Sequence, residues 1–588
     1  MAGAGPLPPW ATPLARYRLR SCEPDRAVAF AQLLGLSPAI AQVLLHRGVS
    51  DHGAARDFLA PQLAGLSSPT AMLDRKAAAQ RLAQAVRAKQ RVVVFGDYDV
   101  DGTTSAALLS GVLEALGADV QVVIADRFAG GYGFSTEALA RVLALNPQLV
   151  VTCDCGSSDH ERLAQLATEG VDAVVVDHHL VPDAPLPVQA FLNPHRAECG
   201  FPFKGMCSAG LVFVLAAAVR AELGAKLDLR PYLDLVALGT IADVAPLLED
   251  NRRLVRAGLA RLAAKEARPG VIALREVAKV RAETPLSGPD IAFRLAPRLN
   301  APGRLGKPEL TLALLCAKDL TTARALAAEV EACNQSRREI EQALTEAAIA
   351  QVQQVYGDAP KGGVVAADPA FHPGVVGISA ARVAERFGVP AVVVALQSPH
   401  GHGSARGPEG FPLYDAIARC STALHRFGGH QAASGVTLEP EQLDQFRTLF
   451  TEACIALGGS VQVPAVDVDV QLGVGPYQVP GAAELMRLEP VGEGNPEPCF
   501  HVPQARVLRA QEVGTGHLKL RLQVGEQRLA AFGFGLAQGG VPDRGALVQL
   551  VGGLRPDTWS GGDAVEVRLG ALYPDGVALF EQGPGSAQ

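Results

Sequence analysis

The sequence predicts an α/β protein: a mostly parallel-sheet domain, a second α/β lobe joined to it by a long helix, and a small C-terminal β-barrel. From Arg91 onward, short β-branched runs alternate with helix-patterned segments, at Val92–Phe95, Val120–Ile124, Leu149–Thr152, Ala173–Val176 and, more weakly, near Phe191. Such alternation implies βαβ units, with helices on both faces of a parallel sheet. A second set of runs, near Gly363–Ala366 and Ala391–Ala395, lies within residues 360–456. Beyond a hinge at Gly458-Gly459-Ser460, period-two alternation in Val466–Val470, His517–Leu522, Leu547–Leu550 and Ala564–Leu569 reads as a barrel.

In chain order, residues 1–85 form a helical lead-in, with helix-like apolar spacing over Arg26–Leu34, Ser37–Arg47 and Ala77–Lys89. Residues 86–320 hold the parallel sheet, followed by a helical stretch over 205–265. Leu320–Tyr356, rich in Ala, Glu and Gln, supplies the bridge (321–356). The second lobe takes 357–457 and the barrel 461–579. The Gly, Ser, Pro and Gln residues after Leu579 predict a disordered end.

A chain of 588 residues is too long for one core, and 48% apolar with 19% charged residues describes an ordered protein. The ten cysteines lack zinc-ligand spacing, which favours a reducing cytoplasm. No basic segment feeds an apolar one near Met1, and the stretch Leu211–Val219 is too short to span a bilayer, so no membrane role is expected. A net charge of −7 argues mildly against a nucleic-acid partner, but the local balance differs. Phe293–Lys307 carries Arg294, Arg298, Arg304 and Lys307 with no acid. Phe500–Leu529 carries Arg506, Arg509, Lys519, Arg521 and Arg528 against Glu512 and Glu526.

The chemistry concentrates in the first half. Asp97, Asp99 and Asp101 alternate within Phe95–Gly102. Asp154 follows the run ending at Cys153, Asp177-His178-His179 follows Val176, and Asp243 closes Leu238–Ala242. In an open α/β sheet, ligands bind at the carboxyl ends of strands. The spacing predicts that Asp97, Asp99 and Asp101 share one face of an extended segment, with Gly102–Ser105 opening a helix over Ala106–Leu116. One such Asp alone is commonly a helix cap. On successive strands the set points to two Mn²⁺ or Mg²⁺ ions, which activate water against phosphate. Asp154 is the candidate bridging carboxylate, His178 a ligand, His179 a contact to the scissile phosphate, and Asp177 an orienting partner for a histidine. Arg304 and Arg406 can grip phosphate oxygens, and Gly428-Gly429 before His430 lets backbone N–H groups approach one. Taken singly, these are ordinary surface and turn residues.

The motifs GDYDVDG (Gly96–Gly102), TCDCG (Thr152–Gly156), DHH (Asp177–His179) and GTIADVAPL (Gly239–Leu247) resemble the DHH phosphoesterase superfamily. Within it the chain is similar to the RecJ family of single-strand-specific 5′→3′ exonucleases. APRLNAPGRLG (Ala296–Gly306), HPGVVGI (His372–Ile378), GSARG (Gly403–Gly407), GGHQAASG (Gly428–Gly435) and Pro490–Pro496 extend the likeness over nearly the whole chain. The resemblance implies that Asp97, Asp99, Asp101, Asp154, His178 and Asp243 hold Mn²⁺ or Mg²⁺. It implies that Asn300, Arg304, Ser404 and Arg406 meet DNA, and that Gly429 and His430 line the cleft from the second lobe.

It further implies an OB-fold for the barrel, which would bind single strands through Lys519 and Arg521 on one strand. Phe532, Phe534 and Trp559 lie nearby, with a core role favoured for these aromatics. The expected function is removal of mononucleotides from the 5′ end of single-stranded DNA, in repair and recombination. The expected partners are a single-strand-binding protein and a RecQ-type helicase. One rival is a DHH phosphodiesterase for short oligonucleotides or cyclic dinucleotides, which has no need of the lead-in or the barrel. The other is a non-catalytic replication scaffold, in which the carboxylates would be eroded.

Overall fold

Strand Arg91–Gly96 buries every residue from Val92 to Gly96, which an apolar run achieves only with helices on both faces of its sheet. The computed structural model of the chain describes residues 7–13, 15–131, 133–264, 266–281, 285–397, 399–429, 433–458, 465–557 and 563–580. In it, Arg91–Gly96 lies second in a five-stranded parallel sheet of order Asp119–Ile124, Arg91–Gly96, Leu149–Cys153, Asp172–Val176, Ala190–Leu192. Side chains alternate between the faces. Val92 and Val94 pack under helices Arg75–Arg87, Val100–Ala115 and Ser208–Glu222, and Val93 and Phe95 pack under Thr136–Leu143 and His160–Thr168.

The strand order reverses at Arg91–Gly96, and such a reversal opens a crevice at the carboxyl ends of the flanking strands. Gly96 pairs with Cys153 and Cys153 with Val176. The next residues, Asp97, Asp154 and Asp177, therefore stand abreast at that edge.

The helix Leu320–Tyr356 matches its expected bounds and is capped by Asp319, whose carboxylate accepts the Thr322 N–H at 2.9 Å. Ala323, Ala327 and Val330 of its first half belong to the first core. Leu344, Ala348 and Val352 of its second half belong to the second lobe, so one rod ties both. The second lobe's sheet runs Arg426–Gly429, Ala433–Leu438, Gly401–Arg406, Ala391–Leu396, Val364–Asp368, with only the last pair parallel.

The barrel closes through five strands: Cys499–Val513, His517–Val524, Gln527–Gly533, Val565–Pro574 and Leu547–Pro556, the last returning to the first. The sequence reading missed Cys499–Val513 and Gln527–Gly533. Cys499–Val513 pairs with Leu547–Pro556 along its first half and with His517–Val524 along its second, and its ladders are interrupted around Pro503-Gln504 and at Leu508. Simple alternation breaks there. Val466–Val468 is not a barrel strand; it pairs in parallel with Tyr17–Leu19.

The lead-in is divided between two cores. Helices Pro24–Leu34, Pro38–His46 and His52–Leu59 bury Ala27, Phe30, Ile40 and Leu44 against barrel residues such as Leu520 and Leu550, whereas Arg75–Arg87 belongs to the first domain. Among the described residues no single helix is long and apolar enough to cross a membrane.

Arg252, on helix Glu249–Leu262, fastens the lead-in, first domain and barrel approach together. It stacks 3.8 Å over the Phe58 ring and donates to the carbonyls of Phe58, Leu488, Glu489 and Pro490 at 2.8, 3.1, 2.9 and 3.2 Å. Arg252→Leu strands these buried acceptors and is expected to destabilise this junction by at least ~3 kcal/mol. Urea titration should show the barrel unfolding at lower denaturant; an unchanged midpoint would contradict this role for Arg252.

Candidate active site

The strand ends at Gly96, and the three alternating aspartates do not share an extended face as the spacing predicted. Asp99 is the N-cap of helix Val100–Ala115, its carboxylate accepting the Gly102 N–H at 3.0 Å, and Asp101 lies in the first helical turn. The helix starts six residues earlier than expected because Asp is a strong capping residue. Gly102 is required here: a Cβ would sit 2.5 Å from the Asp97 backbone. Asp101 accepts the N–H groups of Ser208 (2.8 Å) and Ala209 (2.9 Å), at the start of helix Ser208–Glu222.

Asp154 adopts a left-handed φ of 67°, a conformation costly for a residue with a side chain and found where surroundings enforce it. Its Oδ1 lies 3.1 Å from His178 Nε2 and accepts the Ser208 hydroxyl at 3.1 Å. His178 Nε2 is also 3.8 Å from Asp101 and 3.7 Å from Asp243. Asp243 comes from the C-terminal end of helix Leu233–Ala242, not from a strand. Asp177 turns away from this group. Its Oδ1 meets His179 Nδ1 at 2.7 Å and its Oδ2 accepts the Ser157 N–H at 3.0 Å. It therefore orients His179.

The cluster is electrostatically unbalanced. Burial and the Asp99 charge push the Asp97 carboxyl well up, and burial with the Asp99, Asp101, Asp243 and Asp97 charges does the same to Asp154. Burial with the neighbouring Asp101 and Asp99 charges raises Asp243 to about 8. Burial also raises Asp101, against the opposing pull of His178. His178 is pushed down by burial and so favours the neutral ring. Burial lowers His179 too, but its hydrogen bond to Asp177 prevails and lifts it to about 9. Asp177 is pulled down by His179 and Ser157 against the effect of burial.

The residues fit divalent cations. Asp97 Oδ1 is buried with no hydrogen-bond partner among the described residues. Three groups, Asp97/Asp99/Asp154, Asp101/His178/Asp243 and Asp154/His178/His179, each bring their ligand atoms within 4.8 Å of one another. Asp154 and His178 are each shared by two groups, and oxygen with a neutral imidazole suits Mn²⁺ or Mg²⁺.

Facing the acids is a cavity of about 730 Å³ between the lobes. Asn300 and Arg304 enter it from helix Ala296–Arg304, and Ser404 and Arg406 from strand Gly401–Arg406. The Arg406 Nη1 donates to Ser404 Oγ at 2.8 Å. Burial and the neighbouring Arg127 and Arg337 charges lower Arg304 to about 10, and its Nη1 donates to the Gly374 carbonyl across the lobe boundary at 3.1 Å. Of the basic run Arg294 to Lys307, only Arg304 lines this cavity. Arg294 pairs with Asp290 and Arg298 with Glu331.

Gly429 reaches the cavity only through its strand partner Ser434, and His430 lies outside the described residues. Lys519 and Arg521 stand on the barrel's outer face, opposite Phe532 and Ala530. Phe532 and Phe534 are outward as well, with rings 4.9 Å apart, which corrects the core reading; Trp559 is outside the described residues.

Sequence reasoning missed Ser208, which fixes two of the carboxylates, and Arg127, which stacks 4.4 Å over Tyr98 and lines the cavity. Arg127 follows strand Asp119–Ile124 at the same sheet edge as Asp97, a position that could have marked it.

Three family models match the chain: the DHH family N-terminal domain over residues 91–240, the DHHA1 domain over 361–456 and the RecJ OB domain over 468–570. The single-stranded-DNA-specific exonuclease RecJ of Bacillus subtilis is 34% identical over 564 residues, covering 93% of this chain and 69% of that protein. The Escherichia coli protein of the same name is 35% identical over 84% of this chain and 90% of its own length. This chain belongs to the RecJ family. A crystal structure of RecJ from Thermus thermophilus in complex with Mn²⁺ aligns with a TM-score of 0.79 at 32% identity, over 96% of this chain and 80% of that one. The Mg²⁺ complex of the same protein gives 0.73 at 30% identity, over 96% of this chain and 79% of that one.

A carboxyl raised in the folded state binds its proton more tightly there than in the unfolded chain, so its contribution to stability falls as pH rises. For Asp243 the window runs from 3.8 to about 8. Metal-free wild type is expected to lose thermal stability across that window relative to Asp243→Asn, and Mn²⁺ to restore wild type more than the variant. Parallel calorimetric scans check this; identical pH slopes would contradict the repulsion.

Proposed function

We propose that this chain is a metal-dependent exonuclease that hydrolyses single-stranded DNA from its 5′ end to mononucleotides. The observation that carries this is a juxtaposition in one cavity: Asp97, Asp99 and Asp243 line it together with the phosphate-gripping Arg304 and Arg406. The RecJ relatives, by name single-stranded-DNA-specific exonucleases, support the substrate, and the Mn²⁺ and Mg²⁺ complexes support the cofactor.

Asp97, Asp99, Asp101, Asp154, His178 and Asp243 would hold two Mn²⁺ or Mg²⁺ ions, with Asp154 shared. When bound, such ions activate water and offset charge developing on the phosphoryl group. The protein's own groups do the rest. Asp177 fixes the His179 ring toward the cavity, where its raised affinity for a proton at neutral pH suits it to a scissile phosphate oxygen. Arg406, steadied by Ser404, and Arg304 with Asn300 grip the phosphates and set the strand's direction. Gly429 and His430 are assigned to substrate binding by the family resemblance, and Gly429 adjoins the cavity through its strand partner Ser434. Lys519 and Arg521 would bind the strand farther along, on the barrel.

The division 1–85, 86–320, 321–356, 357–457 and 461–579 follows this allocation of work, with the first lead-in helices acting as an extension of the barrel. A role in repair and recombination, contacts with a single-strand-binding protein and a RecQ-type helicase, and a cytoplasmic location complete the proposal. Selection against duplex is ascribed to the confinement of the cavity between two lobes.

The test is product analysis with Mn²⁺ on a long 5′-labelled single strand, its duplex and a dinucleotide. Labelled mononucleotide should form early from the single strand alone, and Asp154→Ala should lower the rate by more than about a hundredfold. Cleavage confined to the dinucleotide would replace this reading with the short-substrate phosphodiesterase. Tight strand binding without cleavage would replace it with the scaffold.

A further inference from the structure

The row of side chains at the carboxyl edge of the first sheet does not end with Asp177. Asn193 follows strand Ala190–Leu192 as Asp177 follows Asp172–Val176, and because Leu192 pairs with Val176 the two stand side by side. Asn193 is only 1% exposed. A buried amide has to place both a donor and an acceptor, so its partners show what it holds.

The two ends of the amide act in different places. Oδ1 accepts the His195 N–H at 2.8 Å, a turn within its own loop of the kind Asn commonly makes. That contact fixes which way the amide faces. Nδ2 then points back along the sheet edge, donating to the His179 carbonyl at 2.8 Å and to Ser157 Oγ at 3.2 Å. Ser157 gives its N–H to Asp177 Oδ2 at 3.0 Å. Asp177 Oδ1 holds the His179 ring at 2.7 Å and accepts the His178 and His179 N–H groups at 2.7 and 3.2 Å. Segments that follow three neighbouring strands, Leu149–Cys153, Asp172–Val176 and Ala190–Leu192, therefore meet at one side chain.

The chain needs holding there. Past His179 it leaves the sheet edge through an irregular stretch, 180–189, that begins with Leu180, 68% exposed. Such segments move more than the elements they leave. An ionised carboxylate only accepts, so Asp177 can hold the His179 ring and N–H but not its carbonyl. The Asn193 amide supplies the donor that Asp177 lacks.

We propose that Asn193 is a positioning residue for the reaction: it clamps the His179 carbonyl, so that the imidazole meets the scissile phosphate in one fixed place. This rests on the exonuclease reading and deepens it. Among the described residues, the hydrogen bonds of Asn193 reach Ser157, His179 and His195 and none of the groups that would hold metal. Its removal should therefore act on the chemical step and leave metal and strand binding as they are.

Two measurements test it on the full chain. With Mn²⁺ and the 5′-labelled single strand, Asn193→Ala should lower kcat by on the order of tenfold, with KM and the Mn²⁺ concentration for half-maximal rate unchanged. Asn193→Ser, which keeps an acceptor for the turn but is too short to reach the His179 carbonyl, should do the same. In a His179→Ala background either substitution should cost less than about twofold, because the residue through which Asn193 acts is gone. An equal loss in both backgrounds would make Asn193 a structural residue only and overturn the proposal, as would a raised Mn²⁺ requirement.

Amide exchange without metal reads the clamp independently of cleavage. The His178 and His179 N–H groups should exchange about tenfold faster in Asn193→Ser than in wild type, with strand Leu149–Cys153 unchanged. Unchanged exchange at both histidines would overturn the clamp. Failure of wild type to cleave any strand would overturn the exonuclease reading instead, and the exchange measurement separates the two.

Discussion

The structure is organised around a repulsion. Asp97, Asp101 and Asp154 are almost wholly buried, and Asp99 and Asp243 stand beside them. Charges at such spacing repel strongly in a medium less polarisable than water. Three of these carboxylates are held by something they cannot easily leave. The Asp99 side chain caps a helix, Asp101 takes two N–H groups at the head of another helix, and Asp154 occupies a left-handed turn. Rigid helices and a fully buried parallel sheet supply the stiffness. What they hold together is a site whose ground state calls for cations.

That stiffness explains the rest of the architecture. Among the described residues, Arg127 and Arg304 of the first domain line the cavity without pairing to the carboxylates, and Arg406 comes to it from a separate lobe. The rod Leu320–Tyr356 has one half in each core, so the spacing between the walls is set by a helix and not by a flexible linker. The contact of Arg304 with the Gly374 carbonyl closes the frame at a second point. Two attachments restrain the cleft more than one, which suits a site that must place a phosphodiester accurately.

Much of this was legible in the sequence where chemistry and periodicity coincide. Asp97, Asp154 and Asp177 could be read because each directly follows an apolar run, and parallel pairing then sets them abreast. Asp99 and Asp101 could be listed but not placed. Their alternation looks extended, whereas capping by Asp99 starts a helix three residues after the strand. Asp243 could be read because it closes an apolar run, but that run is the helix Leu233–Ala242 and not a strand, a setting that follows from tertiary packing. Ser208 and Arg127 carry no local pattern. Phe532 could have been placed, since Lys519 and Arg521 alternate with buried Leu518 and Leu520 and the hairpin register sets Phe532 beside Lys519. The strand Cys499–Val513 was illegible because it changes partner midway, so its buried face is decided by two neighbours in turn.

The barrel's position gives the acidic net charge a physical meaning. A protein that held its strand by phosphate contacts alone would need a basic surface along the whole path, and that surface would bind duplex and single strands alike. Here the guanidinium groups facing the active-site cavity are few, while the groove between the first domain and the barrel is lined by apolar and charged groups alike, with Arg294, Arg555 and Arg568 paired to acids. On the exonuclease reading proposed above, selection for single strands is ascribed to the confinement of the cavity between the two lobes, which needs no basic surface to operate.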